Sequence, residues 1–96
     1  MSQSTVTAAR VLVVDDHPMM REGITIRIAN EPDLCVCGEA EDIPEAVQKV
    51  EELKPDLVIV DLSLKSGHGI NLIKRLRDRY PKLKMLVNSM YEERVY

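Results

Sequence analysis

Two short apolar runs in this chain end in carboxylates. Residues 11–14 (VLVV) run directly into Asp15 and Asp16, and residues 57–60 (LVIV) run into Asp61. A continuous apolar run of four residues marks a strand covered on both faces, because a strand with one wet face alternates. Burial on both faces requires helices above and below a sheet, which confines the chain to a few architectures.

The segments between the runs supply those helices. Pro18 suits a helix first turn, where its missing N–H costs nothing, and Met20, Ile24 and Ile28 then recur every four residues. Residues 30–33 (NEPD) stop that helix, and LCVCGEA reads as a second strand. Asp42 with Glu45 forms a capping box, Pro44 sits in the first turn, and Ala46, Val47, Val50 and Leu53 supply the next stripe. Lys54-Pro55-Asp56 ends it, and LVIVDL is a third strand. Residues 65–69 (KSGHG) form a loop. Ile70, Ile73, Leu76 and Arg77 define a third helix that Pro81 terminates. LKMLVNS is a fourth strand, and MYEERVY reads as the start of a helix.

The order is therefore β-α-β-α-β-α-β. Strands alternating with helices of this length pair in parallel, and right-handed crossovers make the sheet doubly wound. Ligands of such sheets bind beyond the carboxyl ends of the strands. Asp15 and Asp16 stand at that end of the first strand, Asp61 at that of the third, and Asn88 and Ser89 at that of the fourth.

Carboxylates gathered in this way repel by about 4 kcal/mol per pair at 4 Å and an effective dielectric near 20. A retained proton or a bound cation resolves the conflict. A few hard oxygens suit Mg2+ or Mn2+, which keep several waters and share their shell with a phosphate, better than a Ca2+ cage. The competing structural role is that Asp15 and Asp16 merely cap the following helix.

Other features bound the function. Ninety-six residues make one small domain, and with no Trp, no Phe and three Tyr its core is aliphatic. A net charge of −3 argues against a nucleic-acid surface. Lys74, Arg75, Arg77 and Arg79 read as a solvated helix face. Cys35 and Cys37 read as small buried apolar residues on one strand face, with too few soft ligands nearby for a metal. His17 and His68 lie far apart and show no ligand spacing. No apolar run nears the roughly 20 residues that span a bilayer. Residues 1–9 lack a signal-peptide pattern and read as a disordered leader, and a cytoplasmic location is the default.

The stretches VLVVDDHPMMREGI, GEAED, PDLVIVDLSLKSGHGINLIKRLR and MLVNSMYEE resemble the receiver domain of bacterial two-component response regulators, most like those with a LuxR-type helix-turn-helix output. The resemblance runs over residues 10–96. It implies a flavodoxin-like receiver fold with strand order 2-1-3-4. It makes Asp61 the phosphoryl acceptor from a sensor histidine kinase and Ser89 the switch hydroxyl. Asp15 and Asp16, with Asp61 and the main-chain carbonyl of Ser63, become the Mg2+ ligands. Ser63 and Tyr91, each two residues beyond a key position, become tuners of the phosphoryl lifetime.

The chain departs from the family pattern at its end. The fifth strand with its lysine and aromatic switch residue, the fifth helix and the output domain are expected to be missing, so the reading is a truncated receiver over 10–96. DNA contact would then belong to the missing output domain. Asn88 stands where an apolar residue is usual. A fourth strand left at the sheet edge would favour self-association. Two other classes remain open. An aspartate-nucleophile phosphatase usually has a second Asp at the position of Ser63. A phosphorylation-independent interaction module could use the same fold.

Overall fold

The computed structural model describes residues 8–62, 64 and 69–88, together with the backbone of residues 93–95. Its elements are β1 (Ala9–Val14), α1 (Pro18–Ala29), β2 (Leu34–Ala40), α2 (Ile43–Leu53), β3 (Leu57–Asp61), α3 (Gly69–Arg79), β4 (Lys84–Asn88) and β5 (Glu93–Val95). The sheet order is β2-β1-β3-β4-β5. The first four strands are parallel in the order 2-1-3-4, as the alternation of strand and helix requires.

The end of the chain differs from the sequence expectation in two ways. Residues 93–95 are a strand, not a helix start, and they pair antiparallel with β4, Asn88 opposite Glu93 and Leu86 opposite Val95. The outer edge of β4 is therefore occupied at residues 86–88 rather than left open. An unpaired strand edge offers hydrogen-bonding groups to any segment that can reach it, and a strand satisfies them where a helix cannot. At the other end, β1 begins at Ala9, which pairs with Leu34, one residue earlier than the boundary read from sequence. Residues 1–7 of the expected leader lie outside the described residues.

Alternation along the central strands builds two cores of unequal size. Leu12 and Val14 of β1, Val58 and Val60 of β3, and Met85 and Val87 of β4 face α2 and α3. Ile43, Ala46, Val50, Leu72, Ile73 and Leu76 close over them. On the opposite face Val11, Val13 and Ile59 meet Ile28 of α1. Residues 11–13 have no exposure at all, as a strand covered on both faces demands. Among the described residues α1 is the sole helix on its face. This is why its expected stripe is only partly covered: Ile28 is buried, Ile24 half-buried, and Met20 remains 47% exposed.

Edge strand β2 carries an irregularity that matters for the surface. Val11 pairs with Val36, but Leu12 pairs with Gly38, so Cys37 is an extra residue in a bulge. Val36 packs on the α1 side, whereas Ala40, four residues on, lies in the α2–α3 core. In an unbroken strand these two would share a face. The expected burial of both cysteines is also corrected, since Cys37 is half-buried but Cys35, on the outermost strand, is exposed.

Helix ends follow their caps. Asp42 accepts from the Glu45 amide at 2.9 Å, while the Glu45 carboxylate accepts from Glu41 rather than from Asp42. Lys54 ends α2 in the left-handed region at φ 49°. Lys74 and Arg75 are solvated as expected, but Arg77 donates to the Pro81 and Leu83 carbonyls and ties down the chain beyond α3.

Candidate functional site

The carboxyl ends of β1 and β3 bring Asp15, Asp16 and Asp61 together. Val11 to Val14 pair in register with residues 57–60, so the residues that follow, Asp15 and Asp61, leave the sheet side by side. The Asp15 amide donates to the Ala40 carbonyl at 2.9 Å and holds the end of β1 against β2. Asp61 is the register partner of Asn88, and the Leu62 amide donates to the Asn88 carbonyl at 3.2 Å. Asp15 is 1% exposed and Asp61 6%.

The acid pair does not cap α1. Its N-cap is His17, which makes no side-chain capping bond, and the first turn holds no acidic residue. His17 instead turns its ring toward the carboxylates. Its Nδ1 lies 3.0 Å from Asp15 Oδ1, 3.0 Å from Asp16 Oδ1 and 3.2 Å from Asp61 Oδ2. Its amide also donates to Asp15 Oδ1 at 2.8 Å, so a short turn locks the two residues together. Pro18 then fixes the exit of the chain into α1.

Electrostatics follow from this packing. Burial pushes the Asp15 carboxyl above the usual carboxylate range, against the pull of its hydrogen bonds from His17, and the nearby charge of Asp61 adds to the rise. The hydrogen bond to Asp15 raises His17 above the ordinary imidazole value, with Asp16 and Asp61 adding to it and desolvation opposing. Among the described residues, the buried Asp15 Oδ2 finds no hydrogen-bond partner. An orphaned carboxylate oxygen in this place is costly unless a cation or a proton meets it. Asp15, Asp16, His17 and Asp61 each offer one ligand atom, all within 4.8 Å of one another, and form a group able to hold a metal ion. The donor set fits a divalent cation with hard-oxygen preference.

Asp15, Asp16 and Asp61 are thus united as the sequence expected. Ser63 and Ser89, the expected carbonyl ligand and switch hydroxyl, lie outside the described residues, as do Tyr91 and His68. His17 was missed: a search for ligand spacing between histidines passes over it, although it adjoins the acid pair at a strand end. Arg21 was also missed. It donates to the Asp15 carbonyl at 2.6 Å and pairs with Glu39 at 2.9 Å, bracing the site from α1. Among the described residues no helix is long and apolar enough to cross a membrane.

Comparison with known proteins matches residues 11–96 to the family described as the response regulator receiver domain. The chain is 33% identical over 87 residues to the transcriptional regulatory protein DegU of Brevibacillus brevis, a match covering 91% of this chain and 37% of DegU. A LuxR-family two-component response regulator from Aurantimonas sp. SI85-9A1 superposes with a TM-score of 0.84 at 35% identity, over 90% of this chain and 61% of that one. RcsB from Salmonella enterica serovar Typhimurium, solved bound to a promoter in the presence of phosphomimetic BeF3−, gives a TM-score of 0.80 at 32% identity. That match covers 88% of this chain and 42% of RcsB. The chain spans well under half the length of DegU and RcsB.

Proposed function

This chain belongs to the response regulator receiver domain family, and from that premise we propose that Asp61 accepts a phosphoryl group from a sensor histidine kinase in a Mg2+-dependent reaction. The observation that carries the reading is the convergence of Asp15, Asp16 and Asp61 on one point, with the buried Asp15 Oδ2 lacking a partner among the described residues.

The chemistry needs few parts. An oxygen of the ionised Asp61 carboxylate attacks phosphorus, and the bond from phosphorus to the kinase imidazole breaks with its electron pair going to nitrogen. Asp15, Asp16 and Asp61 would hold Mg2+, with the Ser63 carbonyl added by family resemblance. When bound, the ion neutralises phosphoryl oxygens in a loose in-line transition state. Arg21 positions the Asp15 main chain, and Gly69 keeps α3 close to Asp61. The acyl phosphate adds charge and acceptor oxygens at the end of β3, and by resemblance the Ser89 hydroxyl moves to meet them.

The chain acts in this reading as a signalling domain rather than a turnover enzyme. Its phosphorylated form signals to a transcriptional output domain, and DNA contact belongs to that domain, since this chain has a net charge of −3. Exchange with a kinase and an output of this kind place the protein in the cytoplasm. Incubation with acetyl phosphate and Mg2+ followed by intact-mass measurement tests the core of the proposal. One phosphoryl addition that disappears in Asp61→Asn supports it, and no addition to the parent chain overturns it.

One observation favours a second reading, an interaction module that works without phosphorylation. Beside the sheet, α1 leaves Met20 47% exposed and Ile24 only half-buried. Arg27 and Glu31 flank the groove between α1 and the sheet, a pair of opposite charges that a second copy of the chain can match in a two-fold arrangement. Self-association through this face, rather than through the β4 edge, is the form we infer. Sedimentation showing a monomer at tens of micromolar overturns it.

A further inference from the structure

We propose that His17 is a protein ligand of the divalent ion, through Nδ1, and that it tilts the site toward ions that favour nitrogen, such as Co2+, relative to Mg2+. The inference rests on reading Asp15, Asp16 and Asp61 as a cation site and goes beyond it in adding a nitrogen donor.

Three observations carry it. The first is the crowding around one atom. An imidazole nitrogen carries at most one hydrogen, and that hydrogen can point at one acceptor well. Nδ1 nevertheless stands 3.0, 3.0 and 3.2 Å from oxygens of three different carboxylates. Donors that share one small divalent ion at about 2.1 Å lie about 3.0–3.4 Å from each other. The spacing around Nδ1 is that of neighbouring ligands.

The second is that the ring is aimed by the fold and not by chance contact. His17 is the N-cap of α1 and does not spend its side chain on capping. Its amide is held by Asp15 Oδ1, and Pro18 fixes the next φ. These restraints set the ring at the carboxyl end of β1 before any ligand arrives, while its other edge keeps access to solvent at 54% side-chain exposure.

The third is the orphaned oxygen. Asp15 is almost wholly buried and its Oδ1 serves His17, yet among the described residues Oδ2 has no hydrogen-bond partner. A cation placed among these side chains supplies what that carboxylate lacks. Imidazole is a softer ligand than carboxylate and raises affinity most for ions late in the first-row series. His17 therefore acts on ion selectivity, which the carboxylates alone would leave to charge and size.

The experiment uses the whole chain loaded with Mn2+ alone. Pulsed electron paramagnetic resonance should show coupling to a directly bound nitrogen, lost in His17→Ala and kept in His68→Ala, which changes the only other histidine. Calorimetric titration should show His17→Ala weakening Co2+ about tenfold or more and Mg2+ less than about threefold. Bound Mn2+ without nitrogen coupling, or coupling that survives in His17→Ala, overturns the assignment of His17 while leaving the carboxylate site in place. Failure of the parent chain to bind any of the three ions overturns both.

Discussion

Gly69 is seated against the main chain of Asp61. A β-carbon on Gly69 would overlap the Asp61 carbonyl oxygen and stand 2.9 Å from Leu62 Cα. The Gly69 amide donates to the Leu62 carbonyl at 3.0 Å, so the start of α3 is fastened to the residue after Asp61. Here a glycine is required by close approach of backbone to backbone, and backbone cannot swing aside as a side-chain tip can.

Gly69→Ala should therefore destabilise the domain by about 1–3 kcal/mol, the usual range for forced overpacking. It should also displace Asp61 and slow phosphorylation by acetyl phosphate. Chemical denaturation and an intact-mass time course measure the two effects. A variant as stable and as reactive as the parent would show that the contact relaxes freely.

Asp15→Asn should stabilise the metal-free protein. Burial raises the Asp15 pKa in the folded state. A raised folded value means that the contribution to stability is present below the ordinary carboxylate range and is lost as pH rises through the folded pKa. As pH rises past the ordinary carboxylate range the buried carboxyl thus costs stability, and an amide of the same shape removes that cost while still accepting the His17 N–H. A gain on the order of 1 kcal/mol corresponds to about 4–8 °C in Tm for a domain of this size. Thermal melts in chelator check it, and a lower Tm for Asp15→Asn contradicts it.

The His17 ring should titrate above the ordinary imidazole value in metal-free protein, because the Asp15 hydrogen bond favours the charged form. Stability from this contact is fully present below the unfolded value and fades as pH rises through the folded one. Proton NMR of the ring should show the elevated midpoint, and Asp15→Asn should lower it. A midpoint unchanged by that substitution would place the cause elsewhere.

Asp16→Ala should weaken Mg2+ binding more than Asp15→Ala does. The Asp16 side chain lies 3.0 Å from His17 Nδ1, whereas Asp15 is the more deeply buried and is already engaged by two His17 nitrogens. Calorimetric titration of both variants decides the order, and equal affinity of Asp16→Ala and parent would refute it.

Thiol labelling should separate the two cysteines. Burial pushes the Cys37 thiol up, so its thiolate is scarce at neutral pH, while Cys35 is exposed. Cys35→Ser should abolish the fast phase of alkylation and leave a slow one. A fast phase that persists in Cys35→Ser would mean that Cys37 is not shielded.

The first four strands, the three helices, the parallel order of those strands and the placement of Asp15, Asp16 and Asp61 were legible in the chain itself. Each rests on local periodicity or on a residue's place at the end of a run, and such features survive whatever packs nearby. Other features depended on neighbours distant in sequence. Whether Met20 and Ile24 are covered depends on what else lies on the α1 face. Residues 93–95 form a strand because the edge of β4 is within reach, not because of their own pattern. The bulge at Cys37 reverses the faces of β2, placing Glu39 beside Arg21 and Ala40 in the core. His17 shows the division most plainly. Sequence places it beside two acids, but only the parallel pairing of β1 with β3 brings Asp61 to the same ring nitrogen, because a carboxylate 44 residues away reaches it through the sheet register alone.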